Sequence, residues 1–172
     1  TRYRLEMSNR GARIESLVYK HLDREIELVS GRVDPVIKAK GYFDFALHFS
    51  EDELINGNAL DDILWNVQHE GLVVEKTEGN VTSGKPAENP KAEDRTRILF
   101  SAETRLYGVP VRIEKEFVFD NVTWGFDVTY RLKNTGGEEL QLPNGGVFYS
   151  AGDFLGPEME DYDNRYNQVA QV

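Results

Sequence analysis

Residues 98–134 alternate apolar and polar side chains through three successive runs, and that period of two limits what this chain can become. Ile98, Phe100, Ala102 and Leu106 share one parity, with Ser101, Glu103 and Arg105 on the other. A second run sets Val109, Val111, Ile113, Phe117 and Phe119 against Arg112, Glu114 and Glu116. A third sets Phe126, Val128, Tyr130 and Leu132 against Asp127, Thr129, Arg131 and Lys133. Successive side chains of a strand point to opposite faces, so each run predicts a half-buried strand. Tyr107-Gly108 is short enough for a tight hairpin. The stretch predicts an antiparallel meander with one wet face.

The rest of the chain extends that pattern. Tyr3, Leu5 and Met7 alternate with polar residues up to a turn at Asn9-Arg10-Gly11, and Ala12-Arg13-Ile14 opens a second strand. The strict period is lost at Leu17-Val18-Tyr19, which predicts a bulge or a strand buried on both faces. Residues 25–29, 64–69, 72–76, 139–142 and 146–149 are further short strands, the last two paired around Pro143-Asn144-Gly145. In residues 41–49, Phe43, Phe45, Leu47 and Phe49 share a face. Ser50 followed by Glu53 resembles a capping box for a brief helix that Asn56-Gly57-Asn58 stops. Residues 77–95 are polar and rich in Gly, Pro, Glu and Lys, and are expected to form a long exposed loop. Roughly ten strands with little helix predict one domain over residues 1–172, all-β and mainly antiparallel, built as two sheets face to face.

Composition removes several functions. Thirty acidic against twenty basic residues give a net charge of −10, which argues against nucleic acid and anionic lipid as partners. The absence of cysteine excludes disulfides, thiolate metal sites and cysteine nucleophiles. No run approaches the roughly 18 apolar residues of a membrane-spanning helix, so a soluble piece is expected. The chain opens at Thr1 without a signal-like apolar region, as expected of part of a longer protein.

Residues able to carry chemistry are few and scattered. His21, His48 and His69 lack the close spacing of metal-binding pairs, and His48 falls opposite the phenylalanines of its strand, predicting a surface or half-buried imidazole. Glu158, Glu160, Asp161 and Asp163 are the densest acidic patch, but the next alternate position is Arg165 and no glycine follows, so a solvated loop is expected rather than a calcium site. Asn80-Val81-Thr82 and Asn121-Val122-Thr123 fit the glycosylation triplet, which matters only in a eukaryotic secretory pathway. No G-x-S-x-G elbow and no phosphate-cradling glycine loop occur. Trp65 and Trp124 are expected in the core rather than as sugar platforms. No catalytic, cofactor-binding or metal residue is assigned.

Three features together resemble one family. They are the opening strand closed by Asn9-Arg10-Gly11-Ala12 with Leu17 soon after, the segment Lys115-Glu116-Phe117-Val118-Phe119 followed by a strand ending in Lys133-Asn134, and the late Gly156-Pro157. The chain looks like the large periplasmic domain of the bacterial membrane protein insertase YidC. That resemblance implies a β-supersandwich similar to the galactose mutarotase-like fold, held in the periplasm between the first two transmembrane helices of a multi-pass inner-membrane protein. It implies no cofactor, and contacts with the Sec translocon (SecDF, SecYEG) or with nascent membrane-protein substrates. Insertion in that family belongs to the membrane core, none of which lies in this chain, so no insertase residue has a counterpart here. Two rivals are a lectin-like sandwich that binds carbohydrate and a mutarotase-type enzyme. The latter needs an acid and a base flanking the sugar ring oxygen, and the family's histidine and carboxylate motifs are not found around His21, His48 or His69.

Overall fold

The longest ladder among the described residues is the hairpin that the alternation predicts. The computed structural model describes residues 3–21, 24–30, 45, 47–49, 59–87, 95–120, 125–142 and 148–149. In it Arg95–Leu106 pairs with Val109–Asp120 over all twelve residues of each strand. The connecting residues Tyr107 and Gly108 have φ of 49° and 86°, the left-handed pair of a type I′ turn whose twist matches that of the strands it joins. Phe126–Asn134 adds a third strand in register from Phe126↔Phe119 to Asn134↔Val111.

Numbered along the chain, the strands are β1 (Tyr3–Ser8), β2 (Arg13–His21), β3 (Arg24–Ser30), β4 (Leu47–His48), β5 (Asn66–Glu70), β6 (Leu72–Glu78), β7 (Val81–Pro86), β8 (Arg95–Leu106), β9 (Val109–Asp120), β10 (Phe126–Asn134) and β11 (Phe148–Tyr149), with one 3-10 turn at Ala59–Asp61. They form a five-stranded sheet ordered β3-β2-β1-β7-β6, a four-stranded sheet ordered β10-β9-β8-β5, and a two-stranded ribbon of β11 and β4. Every pairing is antiparallel. The fold is an all-β sandwich.

The two larger sheets share one core. Tyr3, Leu5, Met7, Leu17 and Tyr19 from the first meet Ile98, Phe100, Ile113, Phe117 and Phe119 from the second in a single buried cluster. The sheets touch directly where the Tyr3 and Phe119 rings lie 5.1 Å apart. Phe117 is the hub of the aromatic packing. It meets Phe45 edge-on at 5.3 Å and Phe100 at 6.0 Å, arrangements that set the positive edge of one ring against the negative face of another. The loss of period at Leu17-Val18-Tyr19 reports a real irregularity, for the register of β2 against β3 shifts between Leu17 and Val18. All three side chains are buried.

Three expectations fail, each for a physical reason. Residues 77–95 are not one exposed loop, because β6 runs to Glu78 and Val81–Pro86 forms β7 between β1 and β6. That strand is held by ladders on both sides rather than by apolar side chains, so its Thr-Ser-Gly composition conceals it. Residues 139–142 form no strand and do not pair with 148–149, which ladder with β4 instead. Leu140 and Leu142 nonetheless pack half-buried against the core, so their alternation records burial and not pairing. His48 is not at the surface but fully buried, at 0% exposure. Leu47 and Phe49 are buried too, so this short strand is covered on both faces and the parity of His48 does not bring it to the surface. The expected helix at residues 50–53 lies outside the described residues.

Truncating the hub measures its weight. Phe117→Ala is expected to cost about 3–5 kcal/mol, because the cavity opens between two sheets that cannot collapse around it. A urea-derived unfolding free energy that falls by less than about 1 kcal/mol would show the aromatic packing to be peripheral.

Candidate functional site

The inner face of β9 carries one residue that its parity makes unexpected. Position 115 falls between Ile113 and Phe117, so Lys115 points into the sandwich, at 1% exposure. Its ammonium donates to the Ala12 carbonyl at 2.6 Å and lies 5.8 Å from the centroid of the Tyr130 ring. The acceptor is presented by a tight turn in the opposite sheet, where Gly11 and Ala12 have φ of 71° and 50°. Only glycine fits at position 11, since a Cβ there would stand 2.7 Å from the Asp61 carbonyl oxygen. The same turn holds the chain before β5: Gly11 N donates to Ile63 O at 3.0 Å and Trp65 N to Asn9 O at 2.8 Å.

On the outer face of β9 the next residue, Glu116, is also buried, beneath two arginines. Arg97 Nε donates to one carboxylate oxygen and Arg131 to the other, the latter at 2.7 Å. Burial of the Glu116 carboxyl opposes its ionisation. The hydrogen bonds and charges of Arg97 and Arg131 outweigh that and hold its pKa below the ordinary carboxylate value. The same pairing raises the pKa of Arg97. The three ions form a clamp across β8, β9 and β10.

A groove lies at the other end of this sheet. The five residues of β5 cover β8 only from Arg97 to Ser101, because the Asn9–Gly11 turn pulls residues 63–65 towards the opposite sheet. A groove of about 310 Å³ results, lined by Ile63, Leu64, Asn66, Ser101, Glu103 and Arg112 among others. Arg112 donates to Glu114 at 2.9 Å and stands 3.9 Å from Glu103, one cation between two carboxylates. Leu64 beside it is 59% exposed. An extended backbone is the ligand such a shelf suits, since it offers main-chain groups along a strand edge with mixed side chains around them. Sequence reading misses this groove. Its only signal is the mismatch in length between β5 and β8, which no residue type announces.

The residues singled out by sequence are not brought together. His69 is exposed on β5 opposite Ile98, His48 is buried in β4, and His21 ends β2 with its side chain outside the described residues. No group of three His, Asp or Glu side chains stands ready to hold a metal among the described residues. Trp65 is buried, at 4% exposure, and its indole N–H donates to Leu60 O at 3.2 Å, so it presents no face for sugar stacking. Trp124, the acidic patch at 158–163 and Gly156-Pro157 lie outside the described residues. No helix among the described residues is long and apolar enough to cross a membrane. Comparison with protein-family models, with curated proteins and with solved structures found no match.

The Glu116 clamp has a pH signature. A carboxylate with a depressed folded pKa contributes stability that is fully present above its ordinary value of 4.5 and is lost as pH falls through the folded value. Glu116→Gln is therefore expected to lower stability by about 1–2 kcal/mol at neutral pH, with the gap to wild type closing as pH falls below 4.5 and through the folded value. Urea midpoints measured across that range check it; a gap independent of pH would show that Glu116 acts through packing alone.

Proposed function

We propose that this chain is the periplasmic domain of a YidC-type membrane protein insertase, a non-catalytic sandwich that makes protein contacts for a membrane-embedded parent. The observation that carries the reading is the bond between Lys115 and Ala12. The resemblance rests on separate segments of sequence, and two of them, the Asn9–Ala12 turn and the strand through Lys115 and Phe119, are joined across the core at 2.6 Å. A family signature made of turn and strand residues has a physical basis if those residues tie the two sheets together. An all-β sandwich is also the architecture that the resemblance implies.

In this reading the interior polar groups serve the fold. Lys115 holds the turn, the Tyr130 hydroxyl donates to Phe45 O at 2.8 Å, and the Thr96 hydroxyl donates to Gly71 O at 3.2 Å. The work of the domain then falls to its surface, docking to Sec translocon components or to emerging substrate chains. The net charge of −10 favours basic segments in those partners, chiefly by raising the encounter rate. The domain would be held at the periplasmic face of the inner membrane by the helices of its parent.

The gene itself supplies the first test. One apolar helix encoded before this segment and about five after it are expected, each long enough to span a bilayer. A reading frame without flanking helices would sink the proposal. Purified chain is also expected to leave the rate of glucose anomer exchange at the buffer value, by polarimetry; acceleration would revive the mutarotase reading.

A further inference from the structure

We infer that the edge of β8 left open by the described strands pairs with the same edge of a second copy of this chain, joining two four-stranded sheets into one. The inference stands on β8 alone and does not depend on the insertase reading. In a two-residue hairpin the flanking residues exchange both backbone hydrogen bonds, so Leu106, Thr104 and Ala102 are bonded to β9. The alternation is fixed independently by Pro110, whose carbonyl points away from β8 and accepts from Thr135 N at 3.0 Å. The N–H and C=O groups of Glu103 and Arg105 therefore point outward, beyond the reach of β5, which stops at Asn66 opposite Ser101. Among the described residues no strand covers them.

This edge is complementary to itself. Place a two-fold axis beside Thr104, with the strands antiparallel. Glu103 then lies directly opposite Arg105 of the second copy, and Arg105 opposite its Glu103. The outward backbone groups of each pair meet, giving four hydrogen bonds in all. Opposite charges face each other in both pairs, the arrangement that stabilises cross-strand neighbours. On the inner face Ala102 comes opposite Leu106 of the second copy, an apolar pair on the core side. Tyr107, 51% exposed, and Leu64, 59% exposed, flank the two ends of the slot, and the two-fold sets each near the other's counterpart. A C2 contact requires such reciprocity, because residue i must suit j and j must suit i. The contact is short, so the association is weak and concentration-dependent.

Charge reversal tests it with a control built in. In sedimentation equilibrium at about 0.15 M salt, wild-type chain is expected to pass from monomer to dimer as concentration rises. Glu103→Arg alone and Arg105→Glu alone each set like charges opposite one another and are expected to weaken self-association about tenfold or more. Mixing the two single variants restores both ion pairs in the heterodimer, and E103R/R105E restores them in one chain; both are expected to regain the wild-type constant. Hydrogen exchange on wild type supplies a readout that needs no variant, with the Glu103 and Arg105 amides gaining protection as concentration rises. A chain that stays monomeric overturns the inference, as do single reversals that dimerise like wild type or a mixture that fails to recover. Binding of an added extended peptide by a chain that never self-associates would assign the edge to a foreign strand and also overturn it.

Discussion

The pairing of β8 with β9 is the constraint from which the rest of the structure follows. Twelve residue pairs closed by a type I′ turn fix which side chains face inward, and therefore where Phe100, Phe117 and Phe119 stand. A slip by one residue would turn that row to solvent and bring Arg112, Glu114 and Glu116 into the core. The aromatic row and the turn specify the same register, and such agreement between local and long-range preferences gives a sequence one fold.

Lys115 is the one place where that register sets a charge against an apolar wall. A buried ammonium costs several kcal/mol unless its protons are satisfied, and here the Ala12 carbonyl and the Tyr130 ring stand beside it. The turn that supplies the carbonyl is strained into left-handed geometry at two successive residues. It also fastens the chain ahead of β5, so a single short turn sets the spacing of the sheets and the position at which β5 leaves its neighbour. The groove, and the edge of β8 that no described strand covers, are both products of that fastening.

Much of this was legible in the residues. The meander, its hairpin turn, the opening two strands and the bulge at Leu17-Val18 follow from period and punctuation, because an apolar face must be buried and a tight turn needs positive φ. What stayed hidden lacks such a signal. Strand β7 is held by backbone ladders, which side-chain patterns do not report. His48 is buried because its strand is covered on both faces, which a strand's period of two does not announce. Lys115 sat at an inward parity in plain view, but a lysine between Ile113 and Phe117 reads as an interruption until its acceptor, more than a hundred positions earlier, is located.

Gly71 has an effect out of proportion to its size. It lies between β5 and β6, which are edge strands of opposite sheets, and its φ of 69° and the nearby Arg95 carbonyl leave no room for a Cβ. The main chain thus stitches the rim of one layer to the rim of the other in a single step, with the Gly71 carbonyl receiving the Ala87 amide and the Thr96 hydroxyl. An outer strand that frays from either layer tugs on its counterpart through that stitch. The border that would otherwise unravel first is bound into the same cooperative unit as the interior.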